Sequence, residues 1–495
     1  MTPPGGTDPL NIGIFGTFDV ENYGDLLFPL IAEAELARRL GRVTMTRYSY
    51  ASRAAADWPY VVTSLSELPA AASRLDGVLL GGGHIIRFDK HVATGYGPPD
   101  ASIHHPTGYW LTPALVAIAH GLPIAWNAPG VVDEMPDWAV PTLRLVLAAS
   151  DYVSVRDEGA RRALEPMRNG APVMLVPDTA FGVASLLDSE RRSRDISRFR
   201  EAARVPGPYV LVQASRDSKP FVRFIRKEAA SFSGLRFLVL PVGPINRDDE
   251  KMFASDECEL VRLAKWPDPL LLASLISGAE GVVGGSLHLG ITALAFGVPV
   301  FRPARMNRGK YEMLLGFRTV FPFDVGITPA WLRERLGRAD PDPEVASISL
   351  RLEEHWDRIA AVFAAGRRRT PATLEALSHF WQALPGLLEA SDLGEAVRGR
   401  DERIAALEAS TSWKVTAPLR SVGRRLRGWR RAGRWSTSEA SRVGRFPKIP
   451  FHGLSSGTFS RRATRKSWRP RSPAITSRRS RDTTERRATS TRRAP

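Results

Sequence analysis

Cysteine is almost missing: Cys258 is the only one in 495 residues. A single thiol excludes an intramolecular disulfide and a cysteine-based zinc site, and it fits a reducing cytoplasm. No apolar run approaches the length of a membrane span. The opening MTPPGGTDPL lacks the basic n-region and apolar h-region of a secretory leader. No G-x-G-x-x-G pattern follows the first apolar run, so nothing there argues for a nicotinamide cofactor. Acidic residues are scarce at one end. From Lys414 onward there are 24 Lys and Arg against three Asp and Glu, which leaves 45 and 49 for the rest of the chain. The net charge of +17 therefore belongs to a tail, and the part expected to fold is mildly acidic. Such a tail suits anionic lipid, nucleic acid or plain solvation. Its confinement to an end that cannot bury a core makes a nucleic-acid binder the weakest reading.

A chain of this length is expected to build more than one core. Apolar strands alternate with helices from Leu10 to about residue 330, which predicts an α/β fold in two domains. We read residues 1–9 as a flexible N-terminus, 10–185 as the first α/β domain and 186–202 as a charged linker with some helix. Residues 203–330 form the second α/β domain and 331–390 a helical extension. Residues 391–435 hold a charged helix and a basic amphipathic segment, and 436–495 an Arg/Ser/Thr-rich tail expected to be disordered. Within the amphipathic segment, 412–429 sets Trp413, Leu419, Val422, Leu426 and Trp429 among arginines, which suits peripheral contact with an anionic membrane or docking on the chain's own domain.

The chemistry-bearing residues cluster where strands end. After the strand at Leu10–Gly16 come Asn22, Gly24 and Asp25, at the start of a helix running to Leu40. Asn and Asp there make good caps with or without a ligand. The strand Asp76–Leu80 runs into Gly81, Gly82, Gly83 and His84. Three glycines let the backbone approach a bound group and aim N–H donors at it. His104 and His105 lie near that edge, but their spacing matches no metal-ligand pattern, so no metal site is expected. Arg156 closes the strand 151–157 and Asp178 the strand 173–178. In Gly281–Phe296 a short strand meets Gly284 and Gly285, then Ser286 at an N-cap position and His288 in the first helical turn. The positive end of a helix dipole attracts anions and disfavours a charged imidazole.

Six of these places, in order, resemble the polysaccharide pyruvyl transferase family. They are Asn22-Tyr23-Gly24-Asp25, Leu80-Gly81-Gly82-Gly83, Ser154-Val155-Arg156-Asp157 with Arg161, Pro177-Asp178, Ser286-Leu287-His288 with Ala295-Phe296-Gly297-Val298-Pro299, and Lys310-Tyr311 before Leu315-Gly316. Ser412–Arg427 also looks like a C-terminal segment found behind bacterial cell-surface glycosyltransferases. The resemblance implies two Rossmann-like domains facing a cleft, a GT-B-like arrangement, in the cytoplasm or peripheral to the inner face of the membrane. It implies a transferase that moves pyruvate from phosphoenolpyruvate, with no other cofactor, onto a saccharide or lipid-linked saccharide as a ketal. The product would enter cell-surface polysaccharide, cell-wall or exopolysaccharide biosynthesis.

That chemistry needs an acid, a base and groups for phosphate and carboxylate. His288 is the acid/base candidate, because an imidazole titrates near working pH. Arg156, Arg305 and Lys310 are candidate anion binders, and the turns Gly81–Gly83 and Gly284–Gly285 candidate N–H donors. We therefore take His288 and Arg156 as catalytic. As substrate-binding we take Asn22, Gly24, Asp25, Gly81, Gly82, Gly83, His84, Asp178, Ser286, Arg305 and Lys310. The family usually has Arg two residues before the His, where this chain has Ser286. Either Arg302 or Arg305 fills that space, or the donor differs, or activity is lost. Two alternatives stand beside the leading reading: a GT-B-type glycosyltransferase using a nucleotide sugar, and a non-catalytic member of a glycan-assembly complex.

Overall fold

A computed structural model describes residues 9–88 and 106–366, apart from short gaps at 55, 57, 133–134, 137, 169–170, 206, 250, 252, 254–259, 263–267, 308, 325 and 339–341, together with parts of 397–410. Cys258, His104, His105, the membrane-contact segment 412–429 and the tail lie outside the described residues.

The first half is built on a five-stranded parallel sheet. Its strands are β1 (Leu10–Phe15), β2 (Val43–Ser49), β3 (Thr63–Ser64), β4 (Gly77–Gly81) and β5 (Ile124–Asn127), in the order β3-β2-β1-β4-β5. Helices α1 (Tyr23–Leu40), α2 (Leu68–Ala71), α3 (Leu111–His120) and α4 (Ala139–Ala149) make the crossovers. The run expected as a strand over 151–157 forms only β6 (Ser154–Val155), and that over 173–178 only β7 (Met174–Leu175); they pair with each other around α5 (Glu158–Leu164). Tyr152 extends this small ladder to β5 through a single parallel bridge to Ala125.

Leu186–Ala202, expected as a linker, is largely α6 (Ser189–Ala203). Asp188 caps its start, accepting from the Arg191 N–H. Ile196 and Phe199, three residues apart, give this otherwise charged helix an apolar seam. It packs on the helix Pro269–Ser277 of the second half.

The second half is a six-stranded parallel sheet: β8 (Tyr209–Gln213), α7 (Lys219–Lys227), β9 (Arg236–Leu240), β10 (Leu260–Arg262), α8 (Pro269–Ser277), β11 (Gly281–Val283), α9 (Leu287–Ala295), β12 (Val300–Arg302) and β13 (Val320–Pro322). Its order, β10-β9-β8-β11-β12-β13, is that of a dinucleotide-fold sheet. Both halves are thus Rossmann-like. The strands read as near-continuous Val, Ile and Leu runs because helices cover both faces.

One apolar cluster is common to the two halves. Leu26, Leu27, Phe28 and Ile31 of α1 join Leu272 and Ile276 of α8 and Ile291 and Leu294 of α9. Separate clusters cover the outer face of each sheet. The Tyr23 hydroxyl meets Thr292 at 2.9 Å inside the shared layer, and the Tyr23 N–H donates to the Val242 carbonyl. After α10 (Pro329–Arg333) the chain returns to the first half as α11 (Pro343–Ala364), which lies on α1 and β5. There the buried imidazole of His355 sits 3.0 Å from the Tyr152 hydroxyl and 3.2 Å from Asn127 Oδ1. Burial, with help from the charge of Arg39, holds that imidazole down to about 3, so it is neutral at working pH. No described helix is long and apolar enough to cross a membrane.

Candidate active site

In an open parallel sheet the strand order reverses at one point, and the loops leaving the carboxyl ends of the two strands there diverge to leave a crevice. Here the reversals fall between β1 and β4 and between β8 and β11. All four of the loops that follow these strands line one cavity of about 490 Å³. Thr17, Asn22 and Asp25 come from the β1 side, and Gly83, His84 and Arg87 from the β4 side. Ser215, Arg216 and Asp217 follow β8, and Gly285, Ser286 and His288 follow β11. Arg156, Arg247, Asp248, Lys310 and Tyr311 are among the other charged and polar residues of the lining.

His288 stands at the meeting of the two halves. Ser286 caps its helix, with Oγ accepting weakly from the Leu289 N–H at 3.4 Å. The imidazole then crosses to α1 and lies over the bare Cα of Gly24. A methyl group at Gly24 would fall 1.8 Å from His288 Nδ1, so only glycine fits there. The edge of the ring packs against Phe28 at 5.4 Å between centroids. Phe28 is in turn seated against Gly82, whose φ of +66° and missing Cβ make room for it. The other ring nitrogen, Nε2, is enclosed and lies 3.7 Å from Asp178 Oδ2.

The same carboxylate oxygen accepts from Arg156 Nη1 at 2.9 Å, in a pair whose two side chains are 2% and 1% exposed. Asp178 Oδ1 accepts from the Ala180 N–H at 3.0 Å. Burial alone would raise this carboxyl. His288, Arg156 and the Ala180 amide outweigh it and hold Asp178 well below the usual carboxylate range. Arg156 and His84 both pass close over Gly130, whose Cβ would meet each of them under 3 Å. Asp25 accepts from Asn22 Nδ2 at 2.8 Å. Burial pushes its carboxyl up, against the pull of His288, Thr17, Asn22 and Lys310. Lys310 is lowered, first by burial and then by repulsion from Arg156 and Arg87, with Asp25 opposing. The residue as a whole is exposed, so solvent screens these charges. Arg87, Arg156 and Lys310 therefore concentrate positive charge beside His288.

The second wall is built differently. The N–H groups of Gly285 and Ser286 both donate to Gln213 Oε1, at 2.9 and 2.8 Å, and the Gly284 N–H donates to the Phe301 carbonyl. Gln213 Nε2 donates to both oxygens of Asp248, which also accepts from the Val242 and Gly243 amides. The turn expected to offer N–H donors has its donors occupied by a side-chain relay. Gly82 likewise donates to the Asn127 carbonyl, and the Gly83 carbonyl accepts from Gly130. These glycines also allow close approach: Gly83 (φ +70°) would carry a Cβ 3.0 Å from Asp25. Gly81 lies within β4 against Ile14 and is not part of the lining.

Asn22 occupies the N-cap position of α1, yet its side chain turns to Asp25 rather than to a helix N–H. Arg305 is exposed, bonded to Asp217 and outside the lining; Arg302 is buried, spanning the Met306 and Tyr311 carbonyls. Neither lines the cavity in which Ser286 sits. The lining cations on that wall are Lys310 and also Arg216 and Arg247; sequence reasoning missed the last two, as it missed Gln213, Asp217 and Asp248. Arg216 and Arg247 sit in turns directly after β8 and β9, and position after a strand was the one signal that marked them. Among the described residues no group of three or more His, Cys, Asp or Glu is placed to hold a metal ion.

A family model described as polysaccharide pyruvyl transferase matches residues 22–302, more than half of the chain. The chain belongs to the polysaccharide pyruvyl transferase family. The matched span begins at Asn22 and contains Arg156, Asp178 and His288, while Lys310 and α11 lie beyond it. No curated protein matches the chain. Partial structural similarity extends to UDP-GlcNAc 2-epimerases. The enzyme from Methanocaldococcus jannaschii is 13% identical with a TM-score of 0.42, covering 66% of this chain and 91% of that one. The enzyme from Neisseria meningitidis, bound to UDP-GlcNAc, is 11% identical with a TM-score of 0.40, covering 75% and 99%. Membership of a pyruvyl transferase family makes the protein a transferase.

Proposed function

We propose that the cavity transfers the pyruvyl group of phosphoenolpyruvate to two hydroxyls of a saccharide, which can be lipid-linked, in the building of a surface or secreted polysaccharide. The observation that carries this reading is the gathering of Arg87, Arg156 and Lys310 beside His288. A small dianion with a carboxylate answers that excess of positive charge, and a guanidinium matches either group with two parallel N–H donors.

The balance of the reaction sets what the site must do. The donor methylene gains one proton and becomes a methyl group. Two acceptor oxygens form bonds to the neighbouring carbon, and the bond from that carbon to the phosphate oxygen breaks. Of the two hydroxyl protons, one ends on the methyl group and the other leaves with phosphate. A single imidazole that takes a proton from a hydroxyl and returns one elsewhere satisfies this count. His288 holds that role, with Arg156, Arg87 and Lys310 on the anionic groups. A nucleotide sugar is the weaker reading: carboxylates that would hold its hydroxyls are engaged, Asp248 by Gln213 and two amides and Asp217 by Arg305.

The test is incubation with phosphoenolpyruvate and saccharide extracted with lipid from the producing cell. Phosphate release together with the mass gain of a ketal is expected. Turnover of a UDP- or GDP-sugar with no phosphate release from phosphoenolpyruvate would overturn the reading.

A further inference from the structure

Asp178 was read from the sequence as touching substrate. The structure puts it behind the wall: it is 2% exposed and absent from the cavity lining, whereas both of its partners, Arg156 and His288, line the cavity. We propose that Asp178 is a positioning residue: one carboxylate oxygen anchors Arg156 Nη1 and faces His288 Nε2, so that proton exchange with substrate falls to His288 Nδ1. This rests on the pyruvyl-transfer reading of the cavity.

Three observations carry it. First, Nε2 is the enclosed nitrogen, with a carboxylate oxygen at 3.7 Å and no other polar partner. A proton on Nε2 meets a negative charge there, while a lone pair would meet repulsion, so the neutral ring keeps its hydrogen on Nε2 and its lone pair on Nδ1. Second, the ring lines the cavity, and Nδ1, the nitrogen packed against the bare Cα of Gly24, is not the enclosed one. Third, Asp178 is itself fixed by the Ala180 amide and by Arg156, so its orientation does not depend on the imidazole. A buried carboxylate behind an imidazole also compensates the positive charge that the ring acquires on taking a proton. The charged groups around His288 are Asp178 from the turn after β7, Asp25 from α1, Arg156 from the turn after β6 and Lys310 from the turn after β12. Asp25 is the competing counter-charge.

The experiment has two arms. Selectively ¹⁵N-histidine-labelled protein, with the His288 signals assigned by loss in His288→Ala, reports which nitrogen carries the proton in the neutral ring. Protonation at Nε2 is expected; protonation at Nδ1 overturns the proposal, whatever the donor proves to be. In the second arm, Asp178→Asn keeps the shape and removes the charge. Its kcat is expected to fall about 10- to 100-fold, with a raised KM for phosphoenolpyruvate because Arg156 loses its anchor. The acid limb of its kcat/KM profile is expected to move to lower pH, because the protonated ring has lost its counter-charge. Asp178→Glu should return the limb toward the wild-type position. A folded Asp178→Asn protein with an unmoved limb overturns the proposal by making the role merely structural. If Asp178→Asn does not fold, the tautomer in the wild type decides the matter. Absence of phosphate release by the wild type sinks the pyruvyl-transfer reading, and the tautomer arm still decides the position of the proton.

Discussion

The two walls of the cavity hold their functional groups by opposite means. On the first wall charged side chains face the cavity and are fixed from behind by a buried carboxylate, as Asp178 fixes Arg156. On the second wall a neutral relay, Asp248 to Gln213 to the Gly285 and Ser286 amides, fixes the backbone and leaves the cations Arg216 and Arg247 at the exposed rim. The difference divides the labour. The charge that a buried carboxylate braces from behind belongs to the first wall. The second wall supplies His288 and, from the turn after β12, Lys310, and spends its other polar contacts on aiming the turn that carries His288.

The largest effect that this comparison predicts is the loss of His288. His288→Ala should lower phosphate release by about 10²- to 10⁴-fold in a steady-state assay with the fold intact by circular dichroism, the range for a positioned acid or base. Full activity in that variant would remove His288 from the site. The next is Gln213→Ala, which leaves two amides and the Asp248 carboxylate without their partner in a buried place. A loss of about 2–4 kcal/mol is expected from urea unfolding, since each stranded polar group costs about 1–3 kcal/mol and relaxation recovers part of it. An unshifted midpoint would show that the relay does not hold the turn. The smallest is Arg305→Ala. The pair with Asp217 is exposed, so stability should change by less than about 1 kcal/mol and kcat/KM by less than about threefold. A large rise in the phosphoenolpyruvate KM would return Arg305 to the site.

Much of the fold was legible because apolar runs end at glycine. The strand at Leu10–Gly16 and the end of the following helix at Leu40 were read to within a residue of their bounds in the structure, since Gly16 and Gly41 follow them. The site was legible as far as strand ends go: Asn22, Asp25, Gly83, His84, Arg156, Ser286, His288 and Lys310 were named from position and share one cavity. What the sequence hid was partnership. Arg305 looked available until Asp217, 88 residues earlier, came beside it. The glycine amides looked available until Gln213, 72 residues before Gly285, reached them. Local patterns carry the direction of a side chain but not the identity of what it meets from another loop. The shortened strands at 151–157 and 173–178 have a similar cause. Their apolar residues are genuine, but they pair only with each other over two residues, and the rest of each run serves as the turn that carries Arg156 or Asp178. The charged stretch at 186–202, read as a linker with some helix, is mostly helix because two apolar residues on one face suffice to seat it on a neighbour.

The return of α11 to the first half has a consequence for how the chain can be divided. A nick in the short connection before α6 separates the sequence into two pieces, but the longer piece still carries a helix that belongs on the shorter one. His355 remains between Tyr152 and Asn127, and Arg39 remains bonded to Asp357, across the break. The two pieces are therefore each other's missing part. Produced separately and mixed, they form a natural pair for fragment complementation, with α11 as the clasp.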